Sequence, residues 1–558
     1  MLAVFDRRPL WKSPALAAAV LGLVALLAGF QQPLMKLFKP AEIRLAILPL
    51  QAPADLQEMG SGVLQDATER FRRLRRGSAT LVVIPPSETL SNGVKDPQAA
   101  AKVLHATHAL QLKLHREEGQ VVAEESVVEL ANQRTVRTFL ARYSEVTYGD
   151  IPAAVTAAAR SSLRLQGVDV DTISPGATTA YDQGLYFLNR DNYSFDAAIP
   201  LFQEAARLDP HSPLPSARLA EALIQKFRAT NDPRWIQQAD QALAAAMALN
   251  PDSVPVLMAS GRLEGTKGRP EKALPYFSRI QELEPHNVDA HLRMAAAYNS
   301  QDMLEAAMES YRKAISLDPN YYKTYEEFGL FFYAHGQYAQ AAEQFRNAIA
   351  RAPGFYDAYT DLGAALSEMT QDEEAERVLK TSLNIKETAR ALNSLGAIKA
   401  YQAKDVEAVQ FYKRSLSINP TNFICLMNVA DSSRRIGEQT NARDFYREGM
   451  KSALDRLNED PRSGFTRAYV AYFAARLGEP TRAASEIQQA LQLSPTDKTV
   501  LRRAVLTYEA LGKRDEALRI VARVPVQVLR ELNRHPDLAG LRSDSRFTDL
   551  VAKSHEGG

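Results

Sequence analysis

Three histidines lie close together in the sequence, at His105, His108 and His115. Imidazole nitrogens at such spacings are possible zinc ligands. A strand that begins near Thr107 would, however, place His108 and His115 on opposite faces, because alternate side chains of a strand point to opposite sides. The single cysteine, Cys425, excludes disulfides within the chain and any multi-cysteine zinc site. We therefore predict no metal site.

The segment GSGV, Gly60–Val63, is the nearest approach to a phosphate-binding loop. It lacks the third glycine and the Lys-Ser/Thr pair of such loops, so we interpret it as the start of a helix. The hydrolase patterns Gly-x-Ser-x-Gly and His-Glu-x-x-His do not occur in the sequence. The sequence therefore predicts no catalytic residue and no cofactor, and a hydrolytic site would have to be assembled from scattered residues.

One dense basic run, ERFRRLRR, occupies Glu69–Arg76. We interpret it as a solvated helix face, and contact of Arg72, Arg73, Arg75 and Arg76 with anionic lipid head groups is the alternative. Over the whole chain 67 basic residues nearly cancel 66 acidic ones. No nucleic acid is predicted as a partner, because a duplex-binding surface usually shows a basic excess.

The segment from Pro14 to Phe30, PALAAAVLGLVALLAGF, carries no charge. Its 17 residues would span about 25 Å as a helix, close to the ~30 Å hydrocarbon core once Trp11 and Leu34 are included. We predict that residues 1–40 form a cytoplasmic tail and one transmembrane anchor, with a cleaved signal peptide as the alternative. The short charged tail is expected to stay inside the cytoplasm.

The strongest pattern is a proline that closes successive apolar-periodic segments. Pro285, Pro319 and Pro353 are each 34 residues apart. Before the closing prolines, a small, a bulky and a second small residue recur at a spacing that lets two helices pack closely. These triplets are Ala198, Phe202, Ala205; Ala239, Leu243, Ala246; Ala307, Tyr311, Ala314; Ala341, Phe345, Ala348; and Ala483, Ile487, Ala490.

Glycines recur in the same register, at two places in each unit. One set falls where two helices are expected to cross, and the other falls at the turn between them, where positive φ favours glycine. The crossing set is Gly184, Gly261, Gly329, Gly363 and Gly396, and the turn set is Gly268, Gly336, Gly437, Gly478 and Gly512.

This pattern resembles the tetratricopeptide repeat over about Ala177 to Val524. The resemblance implies an α-solenoid of about ten helix pairs, assigned to residues 179–524. Irregular repeats are expected around Asn192 and Thr230, and in the two repeats that begin at Tyr356 and Thr421. The predicted fold class is thus mainly α: a repeat solenoid preceded by a small α/β domain and the transmembrane helix.

The pattern of residues 41–167 predicts that α/β domain, with its strands and helices in the order βαβαβββα. IRLAILPL and ATLVVIPP are short apolar runs typical of buried strands, and three later segments alternate polar and apolar residues as antiparallel strands do. LAILPL, LVVIPP, THALQLKL and QVVAEESVVEL resemble the strands of the domain shared by the N-terminal part of TolB and by FlgO. That domain precedes tetratricopeptide repeats in bacterial adenylate cyclases and serine/threonine kinases.

The chain therefore resembles the membrane-anchored C-terminal part of those proteins without their catalytic domain, since no kinase signature occurs in it. Residues 168–178 would be a linker, and residues 525–558 resemble the family's C-terminal tail, which is expected to cap the solenoid. Its characteristic residues are Leu538, Leu541, Asp544 and Phe547.

The resemblance implies that the first helix of each repeat projects side chains onto a concave face that holds peptides. The predicted peptide-binding residues are Asp289, Asn299, Lys323, Glu326, Tyr333, Thr360, Arg390 and Asn393. A merely solvated groove is the alternative. We predict a non-enzymatic, single-pass scaffold of the bacterial inner membrane, with the bulk of the chain periplasmic and a protein or peptide client. A structural component of an envelope or secretion complex, or an enzyme with an unrecognised site, are the alternatives.

Overall fold

A computed structural model describes residues 42–72, 74, 81–143, 151–165, 173–188 and 194–556. They form two compact units, which divide between Asp182 and Gln183. The predicted membrane segment lies outside the described residues, and so do the side chains of the predicted lipid-contacting arginines. Within the described ranges, no helix has both the length and the apolar character needed to cross a bilayer.

The first unit contains a five-stranded sheet in the order β2-β1-β3-β4-β5. Its strands are β1 (Ile43–Ile47), β2 (Leu81–Ile84), β3 (His108–Glu117), β4 (Gln120–Glu129) and β5 (Arg134–Tyr143). β1 pairs in parallel with β2 and β3, whereas β3, β4 and β5 form an antiparallel meander. The β3–β4 turn falls at Glu118 and Gly119, which both have positive φ, as a two-residue hairpin turn requires. The mixed sheet predicted from the strand patterns is present.

Helices cover both faces of this sheet. They are α1 (Ala54–Arg72), α2 (Pro86–Ser91), α3 (Pro97–Leu104) and α4 (Ile151–Leu163). Val63 of α1 and Val155 of α4 pack with Leu45 and Leu112 in one apolar cluster. A second cluster, on other residues of the sheet, includes Leu104 of α3. The short helix α2, which begins at a proline, was not predicted from the sequence.

Between Pro175 and Val521 the described residues form ten consecutive helix pairs. The first members are α5 (Pro175–Leu188), α7 (Pro213–Thr230), α9 (Val254–Thr266), α11 (Val288–Asn299), α13 (Tyr322–Ala334), α15 (Tyr356–Glu368), α17 (Ala389–Tyr401), α19 (Phe423–Arg435), α21 (Gly464–Leu477) and α23 (Lys498–Ala510). The second members are α6 (Phe195–Leu208), α8 (Pro233–Leu249), α10 (Pro270–Leu283), α12 (Leu304–Leu317), α14 (Tyr338–Arg351), α16 (Asp372–Ile385), α18 (Asp405–Ile418), α20 (Gln439–Glu459), α22 (Pro480–Leu493) and α24 (Arg514–Val521).

The predicted glycine positions are confirmed. At Gly329 a Cβ atom would stand 2.6 Å from the ring of Phe345, so the close helix crossing depends on the missing side chain. Each of the five crossing glycines faces the bulky residue of its partner helix in this way. The five turn glycines all have positive φ.

The remaining described residues form a tail of short helices. They are α25 (Val526–Arg534), a 3-10 turn (Pro536–Leu538), α26 (Ala539–Arg542) and α27 (Ser545–Glu556). Leu538, Leu541 and Phe547 are at most 1% exposed and belong to the apolar cluster of the last repeats. The tail thus packs on the apolar residues of the last repeats.

Candidate functional site

The first helices of the later repeats line one concave surface, which the tail helix α25 crosses. α25 and the 3-10 turn after it reach residues in or beside α13, α15, α17, α19, α21 and α23. A nine-residue helix is only about 13 Å long. Helices from six repeats can meet such a short segment only if they curve around it.

α25 is amphipathic, and its two sides make different contacts. Val528, Leu529 and Leu532 are at most 5% exposed and join the apolar cluster that contains residues of α23. Gln527, Glu531 and Arg534 follow one another at helical spacing and face other parts of the groove. The apolar side therefore fixes α25 to the end of the solenoid, while the polar side reaches the concave face of earlier repeats.

Arg534 makes the most extensive contacts of this polar side. Its Nη1 donates a hydrogen bond to the carbonyl oxygen of Ser367 at 2.7 Å, and its Nη2 donates to both carboxylate oxygens of Asp372 at 2.8 Å. The guanidinium carbon lies 4.3 Å from the centre of the Tyr401 ring. One arginine of the tail thus links α15, α16 and α17. Its two nitrogens donate to different partners while its plane stacks on a ring, which lysine could not reproduce.

Glu531 pairs with Arg502 of α23. Its negative charge also acts on Glu368, the last residue of α15. Burial, followed by the charge of Glu531, raises the pKa of Glu368 to about 7. The Tyr333 hydroxyl lies 3.5 Å from the Glu368 carboxylate. Burial, with Glu368 as the next cause, raises the pKa of that hydroxyl far above its usual range.

Three arginines surround Asp537, the second residue of the 3-10 turn. Nη2 of Arg434 lies 2.7 Å from Oδ1 of Asp537, Nη1 of Arg435 donates to the same oxygen at 3.0 Å, and Nη2 of Arg476 donates to Oδ2 at 3.0 Å. The Asp537 side chain is only 2% exposed. We call Arg434, Arg435 and Arg476 the arginine pocket.

The arginine pocket is held in place by other acids. Arg435 forms a bidentate pair with Asp405, with Nη2 donating to Oδ1 at 2.7 Å. Nε of Arg476 donates to the Tyr472 hydroxyl at 3.0 Å, and that hydroxyl donates to Asp431 at 2.9 Å. Such contacts fix the guanidinium planes before any ligand arrives, which lowers the cost of ordering them on binding.

Electrostatics favour a charged carboxylate in this pocket. Burial alone would raise the pKa of Asp537, but Arg435, Arg434, His535 and Arg476 outweigh it and lower that pKa to about 2. Burial lowers the pKa of the neighbouring His535 to about 3, so its imidazole is neutral at physiological pH. The pocket therefore binds Asp537 as an anion.

A second charged region lies on α13 and α15. Burial, followed by the charges of Asp361, Glu327 and Asp357, raises the pKa of Glu326 to about 8. Arg390 of α17 pairs with Asp361 at 2.8 Å. Carboxylates that crowd together and lose water in this way are frequent at binding surfaces.

Several predicted site residues form contacts between neighbouring first helices. Nε2 of His335 lies 2.8 Å from Oδ1 of Asn299, and Nδ2 of Asn428 donates to Oδ1 of Asn393 at 3.1 Å. Lys323 is exposed. Seven of the eight predicted residues lie on α11, α13 and α17, and their role in peptide binding stays a prediction: Asp289, Asn299, Lys323, Glu326, Tyr333, Arg390 and Asn393.

Thr360 is a correction to the predicted site. It is 2% exposed, and its hydroxyl lies 2.9 Å from the hydroxyl of Ser382 on α16. It therefore packs α15 against its partner helix and presents nothing to a ligand. The next residue, Asp361, carries the charge at this point of the groove.

The sequence prediction missed the arginine pocket and the tail residues that meet it. A signal for the pocket is present in the sequence, because Arg434, Arg435 and Arg476 all fall in the last turn of a first helix. The partner residue Asp537 is 61 positions from Arg476 and 102 from Arg435. No local pattern joins residues so far apart.

Family models for the tetratricopeptide repeat match residues 288–321 and 332–398. No curated protein matches the chain significantly. Among solved structures, the Cut9–Hcn1 hetero-tetramer of APC/C is 16% identical, with 69% of this chain and 77% of that chain covered and a TM-score of 0.35. MamA is 25% identical, with 29% and 94% covered and a TM-score of 0.26. The pilF protein of Pseudomonas aeruginosa is 18% identical, with 47% and 97% covered and a TM-score of 0.28.

The matched residues include whole helix pairs of the second unit, with the crossing and turn residues described above. The chain therefore carries tetratricopeptide repeats, and residues 288–321 and 332–398 are where the family models place them.

Proposed function

We propose that this protein is a scaffold that binds a peptide segment of another protein on the concave face of its repeats. The observation that carries the proposal is α25, a short helix held inside the groove by both apolar and polar contacts. A surface that orders one helix in this way has the shape and hydrogen-bonding groups to order another of similar length. Stacked repeats hold such a surface open, because each one packs mainly on its neighbours.

The acidic region around Glu326 supports a charged client. Glu326, Asp357 and Asp361 have Arg390 as a nearby base, and Lys323 is exposed beside them. A basic side chain of a client would relieve the repulsion that raises the pKa of Glu326. The proposed mechanism is binding without turnover.

We also propose that residues 14–30 anchor this scaffold in a bacterial inner membrane, with the repeats in the periplasm. The uncharged run and its flanking basic residues support the anchor. The mixed sheet, in which β1 is parallel to β2 and β3 while β3 to β5 are antiparallel, supports kinship of residues 41–167 with the TolB and FlgO domain. Deletion of residues 1–40 should move the protein from the membrane fraction to the soluble fraction, whereas retention on membranes would contradict the anchor.

The peptide-binding proposal can be tested by photocrosslinking in living cells. A photoreactive amino acid replaces Leu330, which is 40% exposed on α13. The matched control replaces Glu343, an exposed residue of α14 in the same repeat. We expect a discrete crosslinked partner from position 330 and none from position 343.

Mutation then checks that the partner lies in the groove. Asp357→Lys should reduce the crosslink from position 330 at least fivefold, because it places a base where the basic side chain of the client is expected. Equal crosslinks from both positions would favour a structural component of a larger complex. Absence of any crosslink from position 330 would contradict the scaffold proposal.

A further inference from the structure

We propose that the part of the groove filled by the tail recognises a short amphipathic helix followed by an acidic residue, and that the tail is an internal competitor for it. This inference rests on the proposed function, since it specifies the client of the same concave face. The tail residues that mimic the client are Glu531, Arg534 and Asp537.

Charge identifies the class of client. Arg434, Arg435, Arg476 and Arg502 of the groove meet two acids of the tail, at Glu531 and Asp537. Bidentate and multiple arginine contacts of this kind recognise a carboxylate by geometry as well as by charge. A client without an anion at this point would leave an excess of positive charge among partly buried guanidinium groups, which is costly.

Spacing identifies the shape of the client. Glu531, Arg534 and Asp537 are three residues apart, so an acid, a base and an acid succeed one another along one side of the segment. Val528, Leu529 and Leu532 form the apolar side that packs with residues of α23. The expected client is therefore a helix of two to three turns with an apolar stripe, an acid-x2-base pattern and a carboxylate one turn past its end.

The contacts of the tail also show why a client could displace it. Its apolar residues and Leu538, Leu541 and Phe547 hold it at the end of the solenoid. Polar contacts also join it to α15, α16, α19 and α21. A client that carries the same polar groups can replace those polar contacts. The tail competes with it at a high local concentration, because the tail is covalently attached to the repeats.

Binding of a tail peptide in trans tests the proposal. The probe is a fluorescein-labelled peptide with the sequence of residues 524–540, and binding to the full-length protein in detergent is measured by fluorescence anisotropy. We expect at least a tenfold lower Kd for the variant Glu531→Ala/Arg534→Ala/Asp537→Ala than for the natural protein. The matched control, Arg530→Ala/Asn533→Ala, alters the exposed side of α25 and should bind like the natural protein.

The pocket itself is tested by the peptide. A peptide with Asn in place of Asp537 should bind the triple variant at least tenfold more weakly, because a neutral amide cannot neutralise three arginines. The single variant Arg534→Gln replaces the triple variant in this test if the triple variant does not fold. Arg534→Gln should bind the natural peptide with a Kd about threefold lower than that of the natural protein. Equal Kd values for natural and variant proteins, or for both peptides, would overturn the proposal.

Crosslinking from position 330 separates this inference from the proposed function. If a partner is captured there at the same yield in the natural and triple-variant proteins, and the peptide does not bind, the scaffold proposal stands and the competitor proposal falls. A rise of at least threefold in the yield from the triple variant supports both.

Discussion

At the scale of single residues, burial decides the charge of the concave face. Glu326 is an ordinary glutamate in the sequence, yet loss of water and the nearby acids raise its pKa to about 8. Below its ordinary pKa of 4.5 the folded and unfolded states both hold the proton. As the pH rises from there to about 8, the unfolded state ionises first, so the folded state loses stability relative to it.

Glu326→Gln should therefore stabilise the protein at pH 8 and leave it almost unchanged at pH 4.5. We expect a gain of at most about 4 kcal/mol at the higher pH, because the pKa rises from 4.5 to about 8 and each unit of pKa shift corresponds to about 1.4 kcal/mol. Thermal unfolding of both proteins at several pH values measures the effect. Glu343→Gln on the exposed side of α14 is the control, and a gain independent of pH would contradict the explanation.

Thr360 and the arginine pocket are the two features of the candidate site that the sequence did not predict correctly. Helical spacing placed Asn299 and Tyr333 on the first helices of their repeats, where the structure has them, but it could not separate Thr360 from Asp361. One position along a helix rotates a side chain by about 100°. A register error of one residue therefore assigns a buried side chain to the groove. The pocket was missed because its ligand comes from the far end of the chain.

At the scale of elements, close helix crossings hold each repeat together. Gly329→Leu should lower stability by about 3 kcal/mol, since any side chain there would overlap the ring of Phe345. Gly265→Leu is the matched control, because it places the same side chain in open space on α9, and it should change stability by less than about 1 kcal/mol. Thermal unfolding compares the two, and equal losses would mean that the crossing is not the cause.

At one turn between helices, a substitution should raise stability instead of lowering it. Thr370 follows α15 with a φ of +61°, in the position that glycine holds in other repeats, and a β-branched residue is strained there. Thr370→Gly should raise stability by about 1 kcal/mol. Thr381→Gly within α16 should lower it, and a loss in both variants would refute the role of the turn.

Element positions were largely predictable, because they follow from local patterns. The 34-residue spacing of Pro285, Pro319 and Pro353 located the repeats, and alternation located β3 to β5. The short helix α2 was missed, since six residues carry too little periodicity to identify. The placement of α25 in the groove was missed too, since its amphipathic pattern fits a simple cap equally well.

At the scale of the whole second unit, the tail changes a stack of neighbours into a partly closed structure. Arg534 contacts residues 162 and 167 positions away, while repeats otherwise contact mainly adjacent ones. Deletion of residues 525–558 should therefore affect the solenoid unevenly. We expect amide hydrogen exchange in α23 and α24 to quicken at least tenfold, because their apolar surface loses its cover.

Exchange in α11 and α12 provides the internal control for that deletion. These helices precede the region that α25 contacts, so their protection should be unchanged. Uniform loss of protection over all ten pairs would show that the unit folds as a single cooperative body. Unchanged protection everywhere would show that the tail contributes nothing to the end of the solenoid.

The position of α25 after the repeats in chain order has a consequence for how each molecule is made. A ribosome releases the repeats before the segment that crosses them, so every newly synthesised copy passes through a stage in which the arginine pocket is empty. Under the competitor proposal, a client would meet no competing tail during that interval. Translation would then give each nascent chain a brief window for capture, which closes when α25 has been synthesised.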